Sequence, residues 1–242
     1  MVRSVPPATA RSHRSPRPPT NACHPSLTAS TLDHSSPKQR STASIRFFMR
    51  FQVLEDSWIL DVLTPTEWEL LSELPNIASG DSFSRETRDR LFPSPISPET
   101  LVDEEVADQV EDWDEFVRPD IQESFTNDRD RVRADLGRAE IIDPSEFLSP
   151  EQIEEWDAGF PDLRRLPIPI PHTEAWYSSL NQARILLNEE HDLADSEERL
   201  ALHEDEIGDA VEQLDPERVM LLARYELFSA IQVLLVEKVM QP

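Results

Sequence analysis

DPERVMLLARYELFSAIQVLLVEKVM, residues 215–240, is the stretch that decides the fold. Asp215 offers a side-chain acceptor for an N-cap, Pro216 has the φ suited to the first helical position, and Glu217 places negative charge in the first turn. Beyond them Leu221, Leu222, Tyr225, Phe228, Ile231, Gln232, Leu235, Val236 and Val239 recur at three- and four-residue intervals. That spacing predicts an amphipathic helix whose apolar stripe is interrupted only by Tyr225 and Gln232. A stripe so wide suits the central helix of a packed core. The same stripe fits a subunit interface, so a homodimer through an exposed part of this helix is compatible with it.

Upstream, EAWYSSLNQARILLNEE (174–190) puts Trp176, Leu180, Ala183 and Leu187 on one stripe and Tyr177, Asn181, Arg184 and Asn188 on the adjacent face. PETLVDEEVADQVEDWDEFV (98–117) spaces Leu101, Val102, Val106, Val110, Trp113 and Val117 helically, and IQESFTNDRDRVRADLGRA (121–139) continues as a second helix after Pro119. EQIEEWDAGF (151–160), capped by Ser149 and Pro150, and the acidic stretch 195–214 read as weaker helical pieces.

The opening differs. MRFQVL (49–54) and WILDVL (58–63) flank a Glu-Asp-Ser turn and read as a β-hairpin, after which Thr64, Pro65 and Glu67 supply the cap, the first-turn proline and the capping-box acid of a helix to about Leu74. Residues 75–97, punctuated by Pro, Ser and Gly, read as a linker or surface excursion around one short helix. AEIID (139–143) and RRLPIPI (164–170) are expected to join the hairpin, the proline-rich strand at a sheet edge where a missing N–H costs nothing. The expected fold is therefore mainly α, a helical bundle with a small antiparallel β-sheet made of the N-terminal hairpin and one or two edge strands.

Charge divides the chain. Residues 1–48 hold seven Lys/Arg against one acid, leaving sixteen against forty-seven for 49–242, or +6 and −31. The tail is rich in Pro, Ser, Thr and Arg and has too little apolar surface to offset its ordering entropy, so it reads as disordered. Three readings of it stand: translated sequence ahead of a true start at Met49, which is favoured, a regulatory arm, and a transit peptide. Residues 49–242 suit a single acidic helical domain. No apolar run of about twenty residues for a membrane span is evident, and a cytoplasmic protein is expected. The one cysteine, Cys23, lies in the tail, which excludes disulfides, thiolate zinc sites and thiol redox sensing from the domain.

Motif chemistry is sparse. Gly80, Gly137, Gly159 and Gly208 are too scattered for a phosphate-cradling loop. Carboxylate pairs are expected by chance at this density, no serine sits in a nucleophile elbow, and His172, His191 and His203 fall in no metal-ligand spacing, so they read as solvated surface. No catalytic residue, metal ligand or cofactor is assigned. Arg129, Arg131 and Arg133 alternate with Asp128, Asp130 and Asp135, which reads as a salt-bridged helix face, and the charge of the domain opposes nucleic acid. The polar residues that stand out are Asn181, Arg184, Tyr225 and Gln232, each on or beside an apolar helical face. They read either as a hydrogen-bond network joining two helices, which is favoured, or as a binding notch.

EAWYSSLNQARILLNEEHDL followed by ARYELFSAIQVLLVEKVM resembles the C-terminal half of the bacterial domain-of-unknown-function family 2017, through Trp176, Leu180, Asn181, Arg184, Tyr225, Phe228, Gln232, Leu235 and Val236. FVRPDIQESFTNDRDRVRADL and MRFQVLEDSWILDVLTPTEWELL resemble its middle helices and opening hairpin, so the likeness covers residue 49 to the end. The resemblance implies a small, mainly α cytoplasmic protein without established catalytic residues, often encoded beside an adaptor of the Clp protease. Some relatives are described as redox-responsive transcription regulators, a thiol-based form of which the cysteine-free domain opposes. The expectation is a non-enzymatic protein-interaction or regulatory domain, linked to Clp-type proteolysis or transcription, whose acidic surface steers it to a basic partner. The alternatives are a small-molecule or metal-dependent enzyme using the polar inter-helix face and, more distantly, direct DNA binding.

Overall fold

A computed structural model describes residues 47–93, 110–143, 145, 162–196, 199 and 215–241, all within a compact unit spanning 41–242. The expected helix at 151–160, the Leu101–Val106 part of the 98–117 helix and nearly all of the acidic stretch from 197 to 214 lie outside these residues.

Strands β1 (Arg50–Val53) and β2 (Ser57–Leu63) form the expected hairpin, closed by a Leu54 N–H to Ser57 carbonyl bond of 2.8 Å. Helix α1 (Pro65–Ser72) follows with a complete capping box: the Glu67 N–H donates to Thr64 Oγ1, and Glu67 Oε2 accepts from the Thr64 N–H. Glu67 is itself buried, and its Oε1 accepts the N–H groups of Phe48 (2.6 Å) and Met49 (3.0 Å). One carboxylate thus starts the helix and ties down the segment leading into β1.

The linker expected at 75–97 is partly core. Helix α2 (Leu74–Ser79) buries Leu74, Pro75, Ile77 and Ala78 and ends at Gly80, whose φ of 76° is the left-handed cap that glycine adopts at little cost. Helix α3 (Arg85–Asp89) is capped by Ser84 and tied to the rest through buried Thr87, whose hydroxyl donates to Glu190 at 2.6 Å. Pro75 marks a helix start rather than a break, because proline is tolerated in the first turn.

A π-helical turn (Trp113–Val117) leads into α4 (Arg118–Leu136). The turn buries none of its residues, and Phe116 and Val117 are exposed, so the buried face expected along 98–117 does not extend to its end. Strand β3 (Glu140–Ile142) and β4 (Leu163–Pro169) complete an antiparallel sheet of order β1-β2-β4-β3.

Strand β4 is interior, not at the edge expected from its prolines. The reason is local. Ile170 directs its N–H to the Asp56 carbonyl on the β2 side, so Pro167 and Pro169, of opposite parity, have their missing N–H groups toward β3. Strand β3 pairs only with Leu163, Arg164 and Arg165, so no ladder bond is lost at either proline.

After a 3-10 turn (Ile170–His172) come α5 (Thr173–His191) and α6 (Pro216–Lys238). Trp176, Leu180, Ala183 and Leu187 are all buried, as are Leu222, Phe228, Ile231 and Leu235, and α6 begins with the Asp215 side chain accepting from the Glu217 N–H. Trp58 of β2 meets Trp176 edge to face at 5.5 Å and donates its indole N–H to Thr173, which joins sheet and helices in one core. Contrary to the expectation of no membrane-length run, α6 has the length and apolarity to cross a bilayer; half of that apolar window is buried in the fold, as in a core helix.

Candidate functional site

Three of the four singled-out polar residues meet. Arg184 on α5 donates to the Gln232 side-chain oxygen on α6, its other terminal nitrogen lies 3.5 Å from the Tyr225 hydroxyl, and its guanidinium sits 5.3 Å from the Tyr225 ring centre. Arg199 approaches the same ring (5.4 Å) while donating to Glu226 and to the Ala194 carbonyl. Tyr225 therefore lies against two guanidiniums, one held by a neutral amide and one by a carboxylate. Asn181 is exposed and, among the described residues, takes no part. These groups are occupied with one another; only Arg184 Nε, buried in the same place, lacks a partner among the described residues.

A second polar knot gathers around Asp135, fully buried on the last turn of α4. Its carboxylate accepts from the Trp176 indole N–H (2.9 Å), from Arg138, and from His172 Nδ1 (3.0 Å). His172 is thus a structural partner and not the solvated histidine its sequence context suggests. Burial, and then the guanidiniums of Arg138 and Arg131, hold its imidazole below the ordinary histidine range. Arg138 already balances the Asp135 charge, so a neutral imidazole donating Nδ1–H suffices. A third knot is the pair between buried Asp61 on β2 and Arg165 on β4, bidentate at 3.1 and 3.0 Å, beside a bulge where Val62 takes a φ of 59°. That left-handed conformation is a strained one for a β-branched residue, and the Asp61 carboxylate braces it by accepting the Val62 N–H at 3.0 Å.

The open site lies elsewhere. Between α3 and α4 is a cleft of about 400 Å³, lined by Arg85, Arg88 and Asp89 of α3, by Leu91 and Phe92 just after it, by Arg118, Gln122, Thr126 and Arg129 along one face of α4, and by Ser79. Arg118 bonds Asp89 at 2.6 Å and lies 5.4 Å from the Phe92 ring centre, and Arg85 reaches Asp89 at 3.8 Å. Arg129 donates to two neutral acceptors, Gln182 Oε1 and Thr126 Oγ1, each at 2.9 Å. Burial holds its guanidinium below the usual arginine range, against the pull of Asp81, Asp130 and Asp128.

Within the 129–133 repeat, Arg131 and Arg133 do pair with Asp128 and Asp130, while Arg129 turns inward. The sequence signal for that turn is spacing: 118, 122, 126 and 129 share a helix face. The α3 arginines carried no such signal, because a five-residue helix shows no period. Among the described residues no group of His, Cys, Asp and Glu is placed to hold a metal.

These features define a mainly α domain with a small sheet, two closed polar knots at Asp135 and Asp61, an inter-helix arginine stack on Tyr225, and one arginine-lined recess. Searches among protein-family models, characterised proteins and solved structures return no match to this chain.

Proposed function

We propose that this protein is a non-enzymatic interaction domain that docks on a protein partner through the outer side of α6. One observation carries the reading: α6, whose inner side fills the core, shows apolar side chains to solvent on its outer side, Val233 and Val236 exposed by 53% and 40%, with Met240 just beyond its end exposed by 42%. Val233 and Val236 stand three residues apart on the helix, so they share a face on which a second helix can lie. The partner that suits it is an apolar helical segment flanked by basic residues, because the domain carries a charge of about −31 and steers cations toward itself. Regulated proteolysis or transcription, implied by the resemblance to the family of unknown function, is the proposed setting. The inter-helix face supports a structural role over an enzymatic one, since Arg184, Tyr225 and Gln232 bond to each other.

The test is recovery of partners on the tagged full chain from its native lysate, beside Val233→Asp/Val236→Asp and, as an unrelated surface change, Glu174→Gln. A partner retained by the wild type and Glu174→Gln, released by raised salt and lost with the double variant is the expected result. Equal recovery on the double variant, or none on the wild type, overturns the proposal.

A further inference from the structure

We propose that the cleft between α3 and α4 is a binding site for a small phosphate-type oxyanion, a phosphate monoester or a pyrophosphate. The argument begins with composition. In residues 49–242 acids outnumber Lys/Arg by forty-seven to sixteen, yet four arginines and one acid line this recess. With net charges of about −31 for the domain and +3 for the lining, the recess opposes the charge of the molecule that carries it.

Internal pairing accounts for only part of that charge. Asp89 serves both Arg85 and Arg118, and Asp114 lies 3.5 Å from Arg118. Among the described residues neither Arg88 nor Arg129 has a carboxylate within ion-pair distance. Arg129 is the more telling of the two, since its charge is partly buried and its partners, Gln182 and Thr126, are neutral. Asp81, Asp128 and Asp130 act on Arg129 only from beyond ion-pair distance. A partly desolvated guanidinium without an anion in contact is costly, and a bound oxyanion supplies that contact. The stem of Arg88 lies against Gly80, where a Cβ would meet Arg88 Cγ at 2.8 Å, so any side chain at position 80, besides its strain in φ, would displace Arg88.

Chemistry and size select the ligand. Planar guanidiniums match the paired oxygens of phosphate, and Arg118, positioned by Phe92 and Asp89, adds a third cation with little ordering left to lose. A volume of about 400 Å³ falls at the small-molecule end of the range for ligand sites. Nucleic acid is disfavoured because a long polyanion must also lie along acidic surface, whereas the field inside a recess acts over roughly one Debye length, about 8 Å at physiological salt. Leu91 and Phe92 provide an apolar wall for the organic part of an ester.

Calorimetric titration of the full chain with inorganic pyrophosphate, O-phosphoserine and a phosphoserine peptide tests this site. Saturable one-to-one binding of pyrophosphate or O-phosphoserine is expected, with the peptide no tighter than the free phosphoamino acid. Arg88→Ala and Arg129→Gln should each weaken it at least about tenfold while keeping the wild-type melting temperature within a few degrees. Arg88 is exposed, so its variant reports on the site even where Arg129→Gln fails to fold. No saturable binding of either small anion, binding of the peptide alone, or unchanged affinity in Arg88→Ala overturns the proposal. The α6 docking test uses different residues and a different readout, so one proposal can fail without the other.

Discussion

His172 shows how a single residue changes meaning on folding. In sequence it is a histidine after a proline, near no ligand partner; in the structure, half-buried, it closes a triangle with the buried Asp135 and Trp176. The helical period could place Asp135 with Val132 and Leu136 on the inner side of α4, but not the residue it meets thirty-seven positions later. Its lowered pKa, caused by burial and by Arg138 and Arg131, has a signed consequence. Between the folded-state pKa and about 6.5, the unfolded chain binds more protons than the native one, so stability falls as pH drops through that window. Urea denaturation at pH 7.5 and 5.5 should show a larger loss for the wild type than for His172→Gln. Equal losses would remove His172 from the account, and a smaller loss in the wild type would mean that Asp135 holds an imidazolium.

At the scale of elements, legibility followed from whether a signal is local. The caps of α1 and α6, the hairpin and the stripe of α5 are set by residues within four positions of each other and are found where they are expected. The α6 stripe is buried at Leu222, Tyr225, Phe228, Ile231, Gln232 and Leu235, but Val236, expected on it, faces solvent, because period alone does not say where the core ends around a helix. The interior position of β4 was not legible, because it depends on β3 being only three residues long and on which edge the two prolines face. Glu67 lies between these cases. Its capping box is local, but its hold on Phe48 and Met49 spans nineteen and eighteen positions. Removing the carboxylate leaves the N–H groups of Phe48, Met49 and Thr64 without this acceptor. Glu67→Ala should therefore cost roughly 2–3 kcal/mol, against about 1 kcal/mol for Thr64→Ala, which loses the cap and the hydroxyl's bond to Glu67 but keeps the hold on Phe48 and Met49. The comparison is read from urea midpoints at constant slope. Equal costs would show that the clamp on the first strand adds nothing to the cap.

For the whole molecule, the governing quantity is a net charge of −25, a total that was legible from composition but whose placement was not. The Arg129–Arg133 repeat shows the difference: two arginines pair on the solvent side of α4, and the third turns to Gln182 and the cleft. Salt acts on the total and on the pairs in opposite directions. Exposed pairs such as Arg85–Asp89 and Arg133–Asp130 are each worth about 0–1 kcal/mol and weaken as salt screens them. Repulsion among the surplus acids is longer in range and also decays, as the Debye length shrinks from about 30 Å at 0.01 M to about 10 Å at 0.1 M. With so few basic partners, relief of repulsion should win, so the melting temperature should rise as sodium chloride goes from 0.01 to 0.3 M, as measured by scanning calorimetry. Repeating the series in phosphate at matched ionic strength separates the two effects, because screening is common to both salts while the cleft selects the oxyanion. An additional rise in phosphate that disappears in Arg88→Ala would place the extra stabilisation at the cleft, and a melting temperature that falls with chloride would mean that the local pairs outweigh the net charge.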